Sequence, residues 1–157
     1  MTPAVECVRR AGIEFQLREF EHRDDGTAFA EEAAARLGVS PERVFKTLVV
    51  VGTGGGPSMA AAILPASRRL DLKAAAAALG ARKAALAPVA DAERATGYVH
   101  GGISPFAQKK RLPTLIDESV LQQKTVFVSG GRRGLQIELA PADLVRLTAA
   151  RTAAIAV

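Results

Sequence analysis

The stretch VFKTLVVVGTGGGPSMAAAILP, Val44 to Pro65, decides the reading of the fold. Two apolar runs of strand length flank a glycine-rich connection, and the simplest path through such a connection is a hairpin. The glycines do not make a phosphate loop, because they lead through Pro57 into a second strand and not through Gly-Lys-Ser/Thr into a helix. Inside the first run stands Lys46, an ammonium group that is costly to bury unpaired. On a strand it shares a face with Val44, Leu48 and Val50, while Phe45, Thr47, Val49 and Val51 face the other way. Two readings stay open. The side chain snorkels from a strand end to solvent, or it lines a pocket, as a point charge for phosphate or as an amine of lowered pKa acting as base or Schiff-base nucleophile.

Outward from the hairpin, helices and strands alternate without a strict βαβ rhythm. TPAVECVRRAG has Thr2 as N-cap, Pro3 at the first helical position and Gly12 as its stop. IEFQLREF alternates Ile13, Phe15 and Leu17 with polar residues, the period of a half-buried strand. After the polar loop EHRDDGT, FAEEAAARLG reads as a helix ended by Gly38, and Ser40-Pro41 opens a turn. DLKAAAAALG is a helix between Asp71 and Gly80, and PADLVRLTAA is a closing helix. ARKAAL, LPTLI, KTVFVS and LQIEL supply short strands. The expectation is an α+β fold, one domain over residues 1–157, with a curled, barrel-like, mixed but mostly antiparallel sheet surrounded by helices.

Composition narrows the function classes. A chain of 157 residues, 48% of them hydrophobic, can bury one core. Its apolar runs fall short of the roughly 18 residues that span a membrane, and MTPAVECVRR lacks the basic-then-apolar order of a signal peptide. A cytoplasmic protein with no membrane partner is expected. Cys7 is the only cysteine, and His22 and His100 are the only histidines, which argues against disulfides, zinc clusters and any metal or other cofactor. Both histidines read as surface or structural residues. The 21 Lys and Arg against 16 Asp and Glu leave a net charge of +5, which suits an anionic partner such as nucleic acid.

Two further segments carry chemistry. In TGYVHGGISPFAQKKRLP, Thr96 to Pro113, Gly101 and Gly102 allow close backbone approach and Pro105 stiffens the turn. The amides around Ile103 and Ser104 are candidate donors to a ligand oxygen. Lys109, Lys110 and Arg111 then place three cations beside that turn, as expected of a loop that binds an anionic chain. VSGGRRGLQIEL, Val128 to Leu139, pairs two glycines with Arg132 and Arg133. Cation pairs at Arg68-Arg69 and Arg82-Lys83 spread the charge over several loops, a pattern that suits nucleic acid recognised by folded structure.

Together TPAV, VFKT around Lys46, LDLK at Leu70, TGYVHGGISPFAQKKRLPTLID and VSGGRRGLQIEL resemble the YbaK/EbsC family of bacterial trans-editing deacylases, over Thr2 to about Leu147. The resemblance implies hydrolysis of an amino acid wrongly esterified to tRNA, most closely cysteine on tRNA(Pro). It also implies kinship with the editing domain inserted in some prolyl-tRNA synthetases, and transient complex formation with prolyl-tRNA synthetase. In this picture Lys46 is the essential lysine, holding the terminal phosphate or ribose, and the GGISP segment lines the aminoacyl pocket. Phe20, Phe29, Thr47, Ser129 and Gln136 join Gly101, Gly102, Ile103, Ser104 and Pro105 around the substrate. Lys109, Lys110, Arg111, Arg132 and Arg133 meet the tRNA. The cysteine thiol itself attacks the ester carbonyl, and the protein contributes mainly orientation, worth roughly 7–11 kcal/mol at best. Phe20 stands where YbaK-type enzymes carry tyrosine, and Gln136 where they carry aspartate. Both changes leave open a deacylase for alanine or serine, or a non-catalytic module that binds tRNA or a synthetase.

Overall fold

The computed structural model describes all 157 residues. Helix α1 (Pro3–Arg10) starts where Thr2 Oγ1 accepts the Val5 amide at 3.2 Å. Strand β1 (Phe15–Glu19) follows, then helix α2 (Phe29–Leu37), closed by Gly38 in the left-handed conformation. Strands β2 (Phe45–Thr53) and β3 (Met59–Pro65) form the expected hairpin, with Phe45 opposite Pro65 and Val51 opposite Met59. Helix α3 (Leu72–Leu79) is capped by Asp71, which accepts the Ala74 amide at 3.0 Å. The chain continues through β4 (Lys83–Leu86), α4 (Val89–Thr96), β5 (Thr114–Asp117), a 3-10 turn (Glu118–Gln122), β6 (Val126–Ser129), β7 (Leu135–Leu139), α5 (Pro141–Thr148) and β8 (Arg151–Ala153).

The strands make a five-stranded sheet in the order β4-β2-β3-β5-β8 and a three-stranded sheet in the order β1-β7-β6. Pairs β3/β5 and β5/β8 are parallel, and the rest are antiparallel. The α+β class with a mixed, mostly antiparallel arrangement is therefore as expected, but the strands do not close into a barrel. A single bridge between Val44 and Phe127 links the two sheets.

The alternation of β2 sorts its side chains. Phe45 and Val49 enter the main core with Val5, Ile63, Ile116 and Ile137, while Val50 packs on the other face with Ala60, Ala62 and Ile155. Register also fixes where the sheet opens. Val44 O accepts the Ala66 amide at 2.7 Å and the Gly52 amide donates to Ser58 O at 2.9 Å, so the even-numbered residues of β2 bond to β3. The odd-numbered residues face the opposite edge, where β4 covers only Val50 to Thr53. Thr47 therefore lies on an edge with no strand beside it, and that gap is the mouth of a cavity.

Candidate active site

The cavity encloses about 770 Å³. Its walls come from the first half of β2, the 20–32 segment leading into α2, the β4–α4 connection, the His100–Ile103 turn, and the facing residues Ser129, Arg133 and Gln136. Elements distant in sequence meet here because the Val44–Phe127 bridge sets the start of β2 beside β6, whose Ser129 pairs with Gln136 near the start of β7.

Lys46 lines this cavity half-buried. Its Nζ donates to the carbonyls of Arg68 at 2.6 Å and Ala66 at 3.3 Å. Burial pushes its ammonium below the ordinary lysine range, opposed by the carboxylate of Glu31. The ammonium sits between these carbonyls at the partly exposed edge of the cavity. The lysine is tied at the wall of a cavity.

Thr47 and Gln136 supply the polar atoms that ask for a ligand. Thr47 is 9% exposed and Gln136 8% exposed, and neither Thr47 Oγ1 nor Gln136 Oε1 has a hydrogen-bond partner in the protein. A buried polar atom left unpaired costs about 1–3 kcal/mol; both oxygens belong to cavity-lining residues but are sealed, as is Ser119 Oγ away from the cavity, so each side chain must turn to meet an occupant. Ser129, opposite Gln136 in the β6/β7 ladder, spends one lone pair on the Gly131 amide at 3.2 Å.

Phe29 is held from several sides. Arg133 Cζ lies 4.9 Å above its ring, His100 meets it edge-on at 5.3 Å and His22 is tilted against it at 5.4 Å. Gly101, at φ +88°, lies so close that a Cβ there would sit 2.7 Å from the ring. Arg133 Nε also donates to the His100 carbonyl at 2.9 Å, which ties the GGRRG loop to the GGISP loop. Arg133 thus stands in the cavity wall as well as among the basic residues.

The GGISP turn divides into a lining part and a supporting part. Gly101 and Ile103 line the cavity, whereas Gly102, Ser104 and Pro105 are buried outside the lining. The Gly102 amide is occupied by Val99 O at 2.8 Å, but the amides of Gly101, Ile103 and Ser104 donate to no main-chain acceptor. Ser104 Oγ accepts the Phe106 amide at 3.3 Å, and its carbonyl accepts Gln108 Nε2 at 3.0 Å. Tyr98 braces the turn by donating its hydroxyl to Phe106 O at 2.5 Å, and burial pushes that phenol up to about 12.

Phe20 lines the cavity as an apolar, half-buried ring. Lys109, Lys110, Arg111 and Arg132 do not line it. Arg132 pairs with Glu19 at 3.3 Å. The polar lining residues Arg23, Asp24, Thr27, Glu31 and Glu32 escape a reading of the sequence, and His22 and His100, read there as surface or structural residues, also line the cavity. Glu32, 3% exposed, receives His22 Nδ1 at 2.6 Å and the Arg23 amide at 2.9 Å, so the 20–24 segment is laced to the first turn of α2. No group of three or more His, Cys, Asp or Glu side chains is placed to hold a metal ion, and no helix is long and apolar enough to cross a membrane.

A family model described as an aminoacyl-tRNA editing domain matches residues 24–147. EbsC of Enterococcus faecalis, a candidate Cys-tRNA(Pro)/Cys-tRNA(Cys) deacylase, is 40% identical over 147 residues, covering 94% of this chain and 88% of the relative. YwhH of Bacillus subtilis, a protein of uncharacterised function, is 30% identical over 131 residues, covering 83% of this chain and 80% of that one. The crystal structure of the hypothetical protein APE2540 superposes with a TM-score of 0.87 at 29% identity, covering 99% of this chain and 100% of the other. A crystal structure of a candidate trans-editing enzyme for prolyl-tRNA synthetase gives a TM-score of 0.82 at 26% identity, covering 100% of this chain and 99% of the other.

Proposed function

This chain belongs to the aminoacyl-tRNA editing domain family, and from that premise we propose that it is a cytoplasmic deacylase of mischarged tRNA, with residues 1–157 acting as one editing domain. The favoured substrate is cysteine esterified to tRNA(Pro), with tRNA specificity lent by prolyl-tRNA synthetase in a transient complex. The observation that supports the reading is a cavity lined by Lys46 together with Thr47 and Gln136, each of which keeps an oxygen without a partner in the free protein. An aminoacyl ester brings what these groups lack. Its α-amino group donates to Gln136 Oε1, its ribose hydroxyl pairs with Thr47, and the ester carbonyl receives the free amides of Gly101 and Ile103.

With cysteine as the acyl group, the chemistry needs no nucleophile from the protein. The substrate sulfur attacks the ester carbonyl carbon, the bond from that carbon to the ribose oxygen breaks, and the thiol proton leaves with the ribose hydroxyl. The products are a cyclic thiolactone and free tRNA. The chain's contribution is orientation and electrostatics: Lys46 stabilises negative charge at the tRNA terminus, while Phe20 and Phe29 wall the acyl group. A second sieve of this kind is needed because a site built for proline rejects similarly sized amino acids by only about 1–3 kcal/mol per methylene.

Alanine or serine as the acyl group is the second reading, favoured by the neutral, hydroxyl-free pair Phe20 and Gln136. Incubating the protein with Cys-, Ala- and Ser-tRNA(Pro) and following ester loss decides among them. Fastest loss of the cysteinyl ester, with thiolactone as first product, is expected. Preference for alanine or serine would replace the thiol mechanism by water attack.

A further inference from the structure

The carbonyls that hold the Lys46 ammonium belong to the connection between β3 and α3, where Ser67, Arg68 and Arg69 are exposed. A connection so exposed is mobile unless something ties it. Here it is tied by the last residues of the chain. Arg69 and Val157 exchange both main-chain hydrogen bonds, at 3.0 and 2.9 Å, and the Asp71 amide donates to Ile155 O at 2.7 Å. Leu70 and Ala156 thus form an antiparallel bridge.

That strap is fixed in turn by one buried carboxylate. Asp117, 2% exposed at the end of β5, accepts the amides of Ile155 and Ala156 on Oδ1, each at 3.0 Å. Its Oδ2 accepts the Ser119 amide at 3.2 Å and lies 3.9 Å from the Arg68 guanidinium. Asp117 therefore holds the strap by hydrogen bonds and lies within ion-pair range of the residue whose carbonyl binds Lys46. Asp117 is not part of the cavity lining, so its effect on the site passes through the connection.

We propose that Asp117 and the segment Ile155–Val157 are positioning elements for Lys46, fixing the Ala66 and Arg68 carbonyls that hold its ammonium at the edge of the cavity. The proposal rests on the reading of Lys46 as the group that acts on the substrate. Each link is a hydrogen bond except the long Asp117–Arg68 contact, in which the guanidinium also lies 4.0 Å from Glu42, and the chain of links runs from β5 through the strap to β2. A misplacement of about 1 Å in such a group lowers turnover by up to about a hundredfold.

The test compares Asp117→Ala and Asp117→Asn with the parent, in the wild-type and Lys46→Ala backgrounds, by two readouts. The first is the Nζ–H resonance of Lys46, identified by its loss in Lys46→Ala. The second is kcat and KM for Cys-tRNA(Pro) deacylation. Asp117→Ala is expected to broaden or shift the Lys46 resonance and to lower kcat about tenfold to a hundredfold, with KM within about twofold. Asp117→Asn, which keeps an acceptor for the strap, should fall between it and the parent, and it carries the test if the alanine variant does not fold. In the Lys46→Ala background neither change should lower kcat further. A folded Asp117 variant with parental kcat and an unmoved Lys46 resonance, or an equal loss in both backgrounds, would overturn the proposal. A Lys46→Ala protein with parental kcat would instead overturn the role given to Lys46, and the resonance would still report whether Asp117 positions it.

Discussion

His22 Nδ1 lies 2.6 Å from Glu32 Oε1, and His22 Nε2 lies 2.8 Å from Asp24 Oδ1, so one imidazole is gripped between two carboxylates at the rim of the cavity. These hydrogen bonds, to Glu32 first and then Asp24, raise the His22 pKa above its ordinary 6.5. Because the folded-state value is the higher one, the imidazolium stabilises the protein fully below about 6.5, and this contribution is lost as pH rises through the raised value. The melting temperature of the parent should therefore fall, relative to His22→Gln, as pH climbs above 6.5. Parallel pH profiles for the two proteins would show that the clamp does not titrate there.

Thr47→Val removes a buried hydroxyl that has no partner in the free protein and places a strong strand former in β2. Stability should rise by about 1 kcal/mol, roughly 2–4 °C in Tm, while kcat/KM for the aminoacyl ester falls. A rise in Tm with undiminished activity would mean that the hydroxyl serves no substrate.

Gly101→Ala and Gly80→Ala both place a side chain at positive φ, but only Gly101 faces a ring, with Phe29 atoms 2.7 Å from the added carbon and nothing within 4 Å at Gly80. Phe29 cannot retreat easily, being packed by Arg133, His100 and His22. Gly101→Ala should be the more destabilising by about 1–2 kcal/mol in chemical denaturation, and should raise KM. Equal losses in the two variants would show that the ring yields.

Lys109, Lys110 and Arg111 lie outside the cavity, and the amides of Lys109 and Lys110 are fixed on the Thr96 and Ala95 carbonyls at 2.9 and 2.8 Å. Replacing all three by alanine should weaken binding of whole tRNA and flatten its salt dependence by roughly 0.7–0.9 for each phosphate left without its cation. Cleavage of a short aminoacyl-adenosine ester should be unaffected. If the short ester is cleaved more slowly as well, these residues act in the cavity and not along the tRNA.

The frame of this fold is legible in its punctuation. Thr2, Pro3, Asp71, Gly38 and Gly80 mark helix ends at the positions where the helices start and stop, and the glycines after Val51 give the β2–β3 hairpin. Helix α4 escapes such a reading because Pro88 offers no side-chain cap, and β8 because three half-polar residues become a strand only by lying beside β5. Within the site, Lys46 announces itself as a charge in an apolar run, and Gly101 as part of a turn. His22 and Glu32 are ten residues apart with a polar loop between them, and only the packing of that loop on α2 makes them a pair. The same holds for the tie between Arg133 and His100, which joins two loops that look separately like surface turns.

The decisive measurement is hydrolysis of Cys-tRNA(Pro) by the parent protein and by Lys46→Ala, followed as loss of the radiolabelled ester under single-turnover conditions. The parent is expected to clear the ester well above the rate in buffer, and Lys46→Ala to clear it at a small, still measurable fraction of the parental rate. Decay of the cysteinyl, alanyl and seryl esters at the buffer rate in the presence of the folded parent protein would contradict the assignment of this chain as a deacylase that works through Lys46.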